Sequence, residues 1–278
     1  MSLLMSVPNL SEGRDQAVVD SIGHAYESGG ARLLDTHIDP DHHRSVHTLA
    51  GESGYLAEAV AEGAAKAIEL IDLNGPRGLH PFVGVLDIAP IVYLDDERLQ
   101  DAKAEAVGLG ELLGRLGLPV HFYGVLAGGA KRADIRKAPN LFPPQFGPHE
   151  AHPTAGRVLV GARPPLIAFN AELAKPATIE DAKRIAKLIR EGGEEGLRGV
   201  RALGLELEHR DRVAQVTMNV EDHLATPLAE ILAAIERHTE VTECELVGLA
   251  PEAAFDGWPD HVEVRNRRTI EAALESLS

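Results

Sequence analysis

The sequence predicts an α/β (α+β) protein made of two ferredoxin-like βαββαβ-type subdomains. Three observations carry that expectation. Apolar residues recur at helical spacing, runs of branched residues separate those stretches, and the order strand–helix–strand–strand–helix–strand occurs twice. Leu99, Ala102, Ala106, Leu109, Leu113 and Leu116 fall on one helix face, as do Leu56, Val60, Ala64, Ala67 and Ile71. "VGVLDIAPIVYL", residues 83–94, is nearly continuous in apolar residues and reads as a buried strand.

In chain order, the first half reads as strand 3–8, helix 13–28, strand 32–38, strand 45–50, helix 54–73 and strand 83–94. An extra helix 96–116 and a strand near 119–123 follow. The second half reads as strand 165–170, helix 179–191, strand 199–208, strand 212–220, helix 227–238 and strand 243–249. "TIED", residues 178–181, has the spacing of a capping box, and Thr226-Pro227 starts another helix with proline at its first helical position. "KAPNLFPPQFGPHEAHP", residues 137–153, carries repeated prolines and reads as an irregular crossing segment. The halves are divided at 177/178, giving subdomains 1–177 and 178–278.

Composition excludes several function classes. With 27 basic against 43 acidic residues the formal net charge is −16, so nucleic acid and anionic membrane are not expected partners. An anionic small molecule would need a local arginine cluster. No stretch approaches the roughly 18 apolar residues of a membrane span. The opening "MSLLMSVPN" lacks the basic and apolar regions of a signal peptide. One cysteine, Cys244, rules out an intrachain disulfide framework and fits a reducing, cytoplasmic setting.

Several stretches carry candidate chemistry. "DPDHHRSVH", residues 39–47, is dense enough in carboxylates and imidazoles for a divalent metal, yet Asp-Pro-Asp is also ordinary turn chemistry. "HEAHP", residues 149–153, has its histidines three apart, so zincin chemistry is rejected. In "PNLSEGR", residues 8–14, Asn9 or Ser11 caps the following helix, or the free N–H groups there face an anionic ligand. "AGGAKR", residues 127–132, is no phosphate loop, and Cys244 sits in a strand. His80 follows a turn rich in Gly and Pro, and Pro81 biases it toward extended backbone at the start of a buried run. That setting suits an imidazole tuned near neutral pH, or merely a turn residue.

The ordered motifs resemble the glutamate formimidoyltransferase family. "VPNLSEGRDQAVVDSI", "LLDTHIDPDHHRSVHTLAG", "GLHPFVGVLDIAP" and "VGARPPLIAFNAEL" are similar to four segments of that family in the same order. "RVAQVTMNVEDH" and "ELVGLAP" extend the resemblance to about residue 252. It implies stacked sheets around a ligand tunnel and a homodimer. It also implies transfer of a formimidoyl group from N-formimidoyl-L-glutamate to N5 of tetrahydrofolate, a co-substrate, with no metal. The alternative is a folate-binding homologue with another formyl or imidoyl donor, or with no transferase activity.

Carried over position by position, His80 is the acid–base residue; the chemistry also calls for a carboxylate beside the amidinium, and Asp39 is the candidate for it. The folate segment comprises Gly161, Ala162, Arg163, Pro164, Pro165, Leu166, Ile167, Ala168, Phe169 and Asn170. Arg163 and Arg44, with Arg184 after them, are candidates for the glutamate carboxylates of the substrates, because arginine holds carboxylates bidentately, and Asn9 is a further substrate-binding candidate. The chain departs from the family pattern at Phe82, where HPR is usual, and at His37, where the animal enzymes have Asp.

Overall fold

Strand pairing sorts the chain into two sheets, one in each of two units, Met1–Pro164 and Pro165–Ser278. The computed structural model describes residues 3–75, 82–207 and 210–276. The first unit opens with β1 (Leu3–Ser6), β2 (Asn9–Leu10), α1 (Gln16–Ser28), β3 (Arg32–Asp39) and β4 (Arg44–Glu52). It continues with α2 (Leu56–Leu70), β5 (Leu86–Val92), α3 (Leu99–Arg115), β6 (Val120–Phe122), α4 (Arg132–Lys137) and β7 (Val158–Arg163).

The expected strand 3–8 is broken at Val7-Pro8 into β1 and β2. Proline has no N–H to give to a ladder, and the Pro8 carbonyl instead accepts from the His47 N–H at 3.1 Å. Both pieces pair antiparallel with β4 on one side and β5 on the other. With β3 against β4, the lateral order β3, β4, β1/β2, β5 is the βαββαβ arrangement read from the sequence. β7 then lies parallel to β5, and β6 parallel to β7, extending the seven-stranded sheet. The sequence reading missed β7. Its residues "VLVGAR" are too few to show a period, and being paired on both sides removes any polar alternation.

The long helices cover one face of this sheet. Tyr26 of α1, Val60 and Ala64 of α2 and Leu109 of α3 join Leu49, Leu86 and Val160 in one buried cluster. Helix α2 comes close because its inward residues are small. A β-carbon on Gly63 would lie 2.1 Å from the ring of Tyr26, which is fully buried and meets His47 edge-on at 5.3 Å.

The second unit runs β8 (Ile167–Leu173), α5 (Ile179–Ile189), β9 (Val200–Leu207), β10 (Val213–Val220), α6 (Leu228–Glu236), β11 (Val241–Val247), β12 (Val264–Arg265) and α7 (Ile270–Glu275). Its sheet has the order β12, β11, β8, β10, β9, again βαββαβ with one added strand. The expected boundary at 177/178 falls inside this unit, because β8 pairs with β10 and β11. Thr178 and Asp181 form the capping box reciprocally at the start of α5. Pro227 is the N-cap of α6 and Leu228 its first helical residue, one place from the sequence reading. Apolar residues of α5 and α6, including Ile185, Ile189, Ile231 and Ile235, pack on Phe169, Ala171 and Val216. Among the described residues no helix is long and apolar enough to cross a membrane.

Gly63→Ala sets two effects against each other. Alanine gains about 1 kcal/mol of helix propensity, whereas forcing a methyl group into a packed ring costs about 1–3 kcal/mol. With backbone and ring both buried, the clash dominates, and urea denaturation should show a net loss of stability.

Candidate active site

The β3–β4 hairpin places Asp39, Arg44 and two histidines together. Asp39 closes its turn, Oδ1 accepting the His42 N–H at 2.9 Å while Oδ2 lies 2.6 Å from His42 Nδ1. Burial alone would raise its pKa, but hydrogen bonds and charge from His42, with Arg44 nearby, lower it to about 2. Asp39 is therefore ionised, with each oxygen already engaged by His42. Arg44 is its register partner at the start of β4. The turn reading of "DPDHHRSVH" holds, and among the described residues no group of three or more His, Cys, Asp or Glu is arranged to hold a metal ion.

The "SEGR" turn is seated on this hairpin. Its Gly13 N–H donates to His43 Nδ1 at 3.2 Å. A β-carbon on Gly13 would lie 2.4 Å from the Arg44 nitrogen and the Asp39 carbonyl oxygen, so the approach requires glycine. Glu12, Arg14, Asp15, Gln16, Ala17 and His43 line an open depression of about 450 Å³ beside it. The expected cap by Asn9 or Ser11 is corrected. Asp15 caps α1, Oδ1 accepting from Ala17 and Val18, and Glu12 Oε1 accepts from Arg14 and Asp15. Those N–H groups face the protein's own carboxylates, which disfavours an anionic ligand there. Asn9 sits in β2, its amide donating to the Val7 carbonyl at 3.0 Å. The Ser11 hydroxyl donates to the Gly84 carbonyl at 2.9 Å, so the opening turn also holds the start of the β5 run.

His80 belongs to 76–81, outside the described residues. Three positions downstream of it in sequence, the Val83 N–H donates to Asp87 Oδ1 at 2.8 Å. Asp87 is 2% exposed, and its other oxygen is ion-paired with Arg136 of α4. A β-carbon on Gly84 would collide with the Arg157 carbonyl, so the chain here has no room for another residue. Sequence reasoning assigned no role to Asp87 or Arg136. The available signal was an aspartate inside an otherwise apolar run, since a buried carboxylate needs a partner. Phe82 is half-buried, and His37 is buried in β3.

The Gly161–Asn170 segment divides by role. Gly161, Ala162 and Arg163 end β7; Pro164, Pro165 and Leu166 link the units; Ile167 to Asn170 begin β8. Ala162 packs in the first core, and Ile167 and Phe169 in the second. A β-carbon on Gly161 would lie 2.6 Å from the Tyr123 ring. Arg163 donates to the Pro164 carbonyl at 3.0 Å. Asn170 lies on the opposite strand face from Phe169, where its amide meets Thr217 and Glu245. Arg184 is on the exposed side of α5, 3.3 Å from Asp181. The first unit thus holds Asn9, Asp39, Arg44 and Gly161 to Pro164; the second holds Pro165 to Asn170 and Arg184.

These segments and the paired βαββαβ units define a formiminotransferase fold. The chain belongs to that family: residues 3–163 match the formiminotransferase domain, N-terminal subdomain, and residues 168–271 match the formiminotransferase domain. It is 34% identical over 277 residues to the glutamate formimidoyltransferase of Thermoplasma acidophilum, covering 92% of this chain and 90% of that one. The glutamate formimidoyltransferase of Streptococcus pyogenes serotype M1 is also 34% identical, over 90% of this chain and 89% of its own. The formimidoyltransferase-cyclodeaminase of Mus musculus is 32% identical over 91% of this chain, which spans 51% of its length.

Two measurements test this geometry. His47 and His121 are buried, and burial lowers both pKa values from 6.5 to about 4. Below 6.5 the unfolded chain binds protons that the folded chain refuses, so stability should fall as pH drops from 6.5 to about 4. His47→Gln should flatten that slope in urea titrations. Asp87→Ala removes one partner of a buried ion pair and the acceptor of Val83. It should cost about 3 kcal/mol, whereas Asp87→Asn, which keeps the acceptor, should cost less.

Proposed function

We propose that this chain transfers the formimidoyl group of N-formimidoyl-L-glutamate to N5 of tetrahydrofolate, giving 5-formimidoyltetrahydrofolate and glutamate. The observation that carries the reading is the match, over about nine-tenths of both chains, to proteins named glutamate formimidoyltransferase. The same residues hold both family domains in the same order.

In the proposed chemistry, N5 attacks the amidine carbon and forms the new C–N bond while losing a proton. The bond from that carbon to the glutamate nitrogen then breaks as the nitrogen gains one. One imidazole serves both steps, as base and then acid, and His80 is assigned that role. Asp39, ionised at neutral pH, is assigned the stabilisation of the amidinium charge, provided His42 shares it. Arg44 and Arg163 are assigned the glutamate carboxylates of the two substrates, which reconciles anionic ligands with a chain of net charge −16. The segment Gly161 to Asn170 is assigned to tetrahydrofolate. Its polar members are the contact candidates, because Ala162, Ile167 and Phe169 are committed to the cores. A homodimeric, cytoplasmic enzyme without metal is part of the same reading.

Purified protein should release glutamate from formimidoylglutamate in the presence of tetrahydrofolate, and formylglutamate should be the poorer donor. Release from formylglutamate alone would move the assignment to another donor. His80→Ala should reduce kcat by about 100-fold or more with little change in tetrahydrofolate affinity. Near-full activity in that variant would remove His80 from the mechanism.

A further inference from the structure

The chain downstream of His80 is clamped along both edges at Val83–Val85. The Val83 N–H donates to Asp87 Oδ1 at 2.8 Å, and the Val83 carbonyl accepts from the Arg157 N–H at 2.8 Å. The Gly84 carbonyl accepts the Ser11 hydroxyl at 2.9 Å. The Val85 N–H donates to the Ala155 carbonyl at 3.0 Å, and the Val85 carbonyl accepts from the Ser11 N–H at 2.9 Å. Of these contacts, the one nearest to His80 along the chain is made by the Asp87 carboxylate.

That carboxylate is itself fixed. It interrupts a run in which Val85, Leu86, Ile88 and Ala89 are all buried, and its second oxygen is ion-paired with Arg136. The helix that carries Arg136 is seated by its neighbour Ile135, which packs with Ile88, Tyr123 and Leu159. A buried ion pair adds little stability over apolar residues of similar size, so stability does not explain the pair. Its distinctive effect is to hold one acceptor in one place, under Val83. The link from there to His80 is short and stiff. Three residues span no more than about 11 Å. Pro81 has its own φ locked by its ring and biases His80 toward extended backbone.

We infer that Asp87, locked by Arg136, is a positioning residue for the acid–base histidine and acts through the backbone of Val83. The inference rests on the proposed function, which assigns His80 that role, and deepens it. A general base works only within hydrogen-bond reach of the proton it takes, and a small displacement costs rate. Neither Asp87 nor Arg136 has to touch a substrate for this. Loss of the anchor therefore falls on kcat and leaves substrate binding in place.

Steady-state kinetics on the full chain tests the assignment, with each variant shown by circular dichroism to be folded at the assay temperature. Asp87→Leu combined with Arg136→Leu replaces the pair by apolar residues, which a buried pair tolerates, yet removes the Val83 acceptor. Its kcat should fall about tenfold or more, while KM for formimidoylglutamate and for tetrahydrofolate holds. Asp87→Asn, which keeps the acceptor but breaks the ion pair, should recover most of that loss. Added to His80→Ala, the paired change should lower the residual rate no further, because the group it positions is gone. Asp87→Ala serves in its place if the paired variant does not fold. An unchanged kcat, an equal loss in Asp87→Asn, a loss that falls on KM, or one that adds fully to that of His80→Ala overturns the inference while leaving the proposed function standing. A parent protein that transfers no formimidoyl group overturns both.

Discussion

Each sheet carries its long helices on one face, and much of the rest follows from that constraint. Successive residues of a strand point to opposite sides, so every strand position is committed either to the helix-side core or to the remaining face. Phe169 and Asn170 are adjacent in sequence, yet one packs under the helices and the other joins a polar network. A one-residue slip of β8 would exchange them, burying Asn170 and Glu172 among leucines and isoleucines. The pairing of β8 with both β10 and β11 prevents that slip.

Charge is distributed by the same logic. A chain of net charge −16 has few cations to spare, and several of them answer buried or half-buried carboxylates. Arg136 pairs with Asp87, and Arg265 with Glu172, Glu243 and Glu245. Burial raises the pKa of Glu172, against which Arg210 and Arg265 act. Such pairs add little net stability over apolar residues, but losing one partner is expensive, so they hold local geometry in place. Asp87 does this for the backbone of Val83 and the arginines do it for the face around Asn170. Asp39 is the contrasting case, being held ionised by an imidazole and its own turn.

Local order was largely legible. The periodic stretches at 56–71 and 99–116 appear as α2 and α3 with small shifts at their ends. The capping box at Thr178 and the turn at Asp39 also appear where residue type and spacing placed them. The misses share a cause. β7 shows no period because it is buried between two strands, and Asp15 displaced Asn9 and Ser11 as the helix cap. Asn9 was free to be a cap only until β2 took it into the sheet between β4 and β5.

The sequence by itself determined the two βαββαβ orders, their helices and the ordered motifs by which the family is recognised, since these depend on residues near one another in the chain. Tertiary structure alone decided which charges meet and which polar groups are left without partners. Asp87 and Arg136 are 49 positions apart, and Glu172 and Arg265 are 93 apart. No local spacing rule reaches that far. Strand pairing brings Glu172 and Arg265 within hydrogen-bond range through β11, while α4, seated on the first sheet, brings Arg136 to Asp87. The same pairing leaves Gln215 buried, with an oxygen that accepts no hydrogen bond among the described residues.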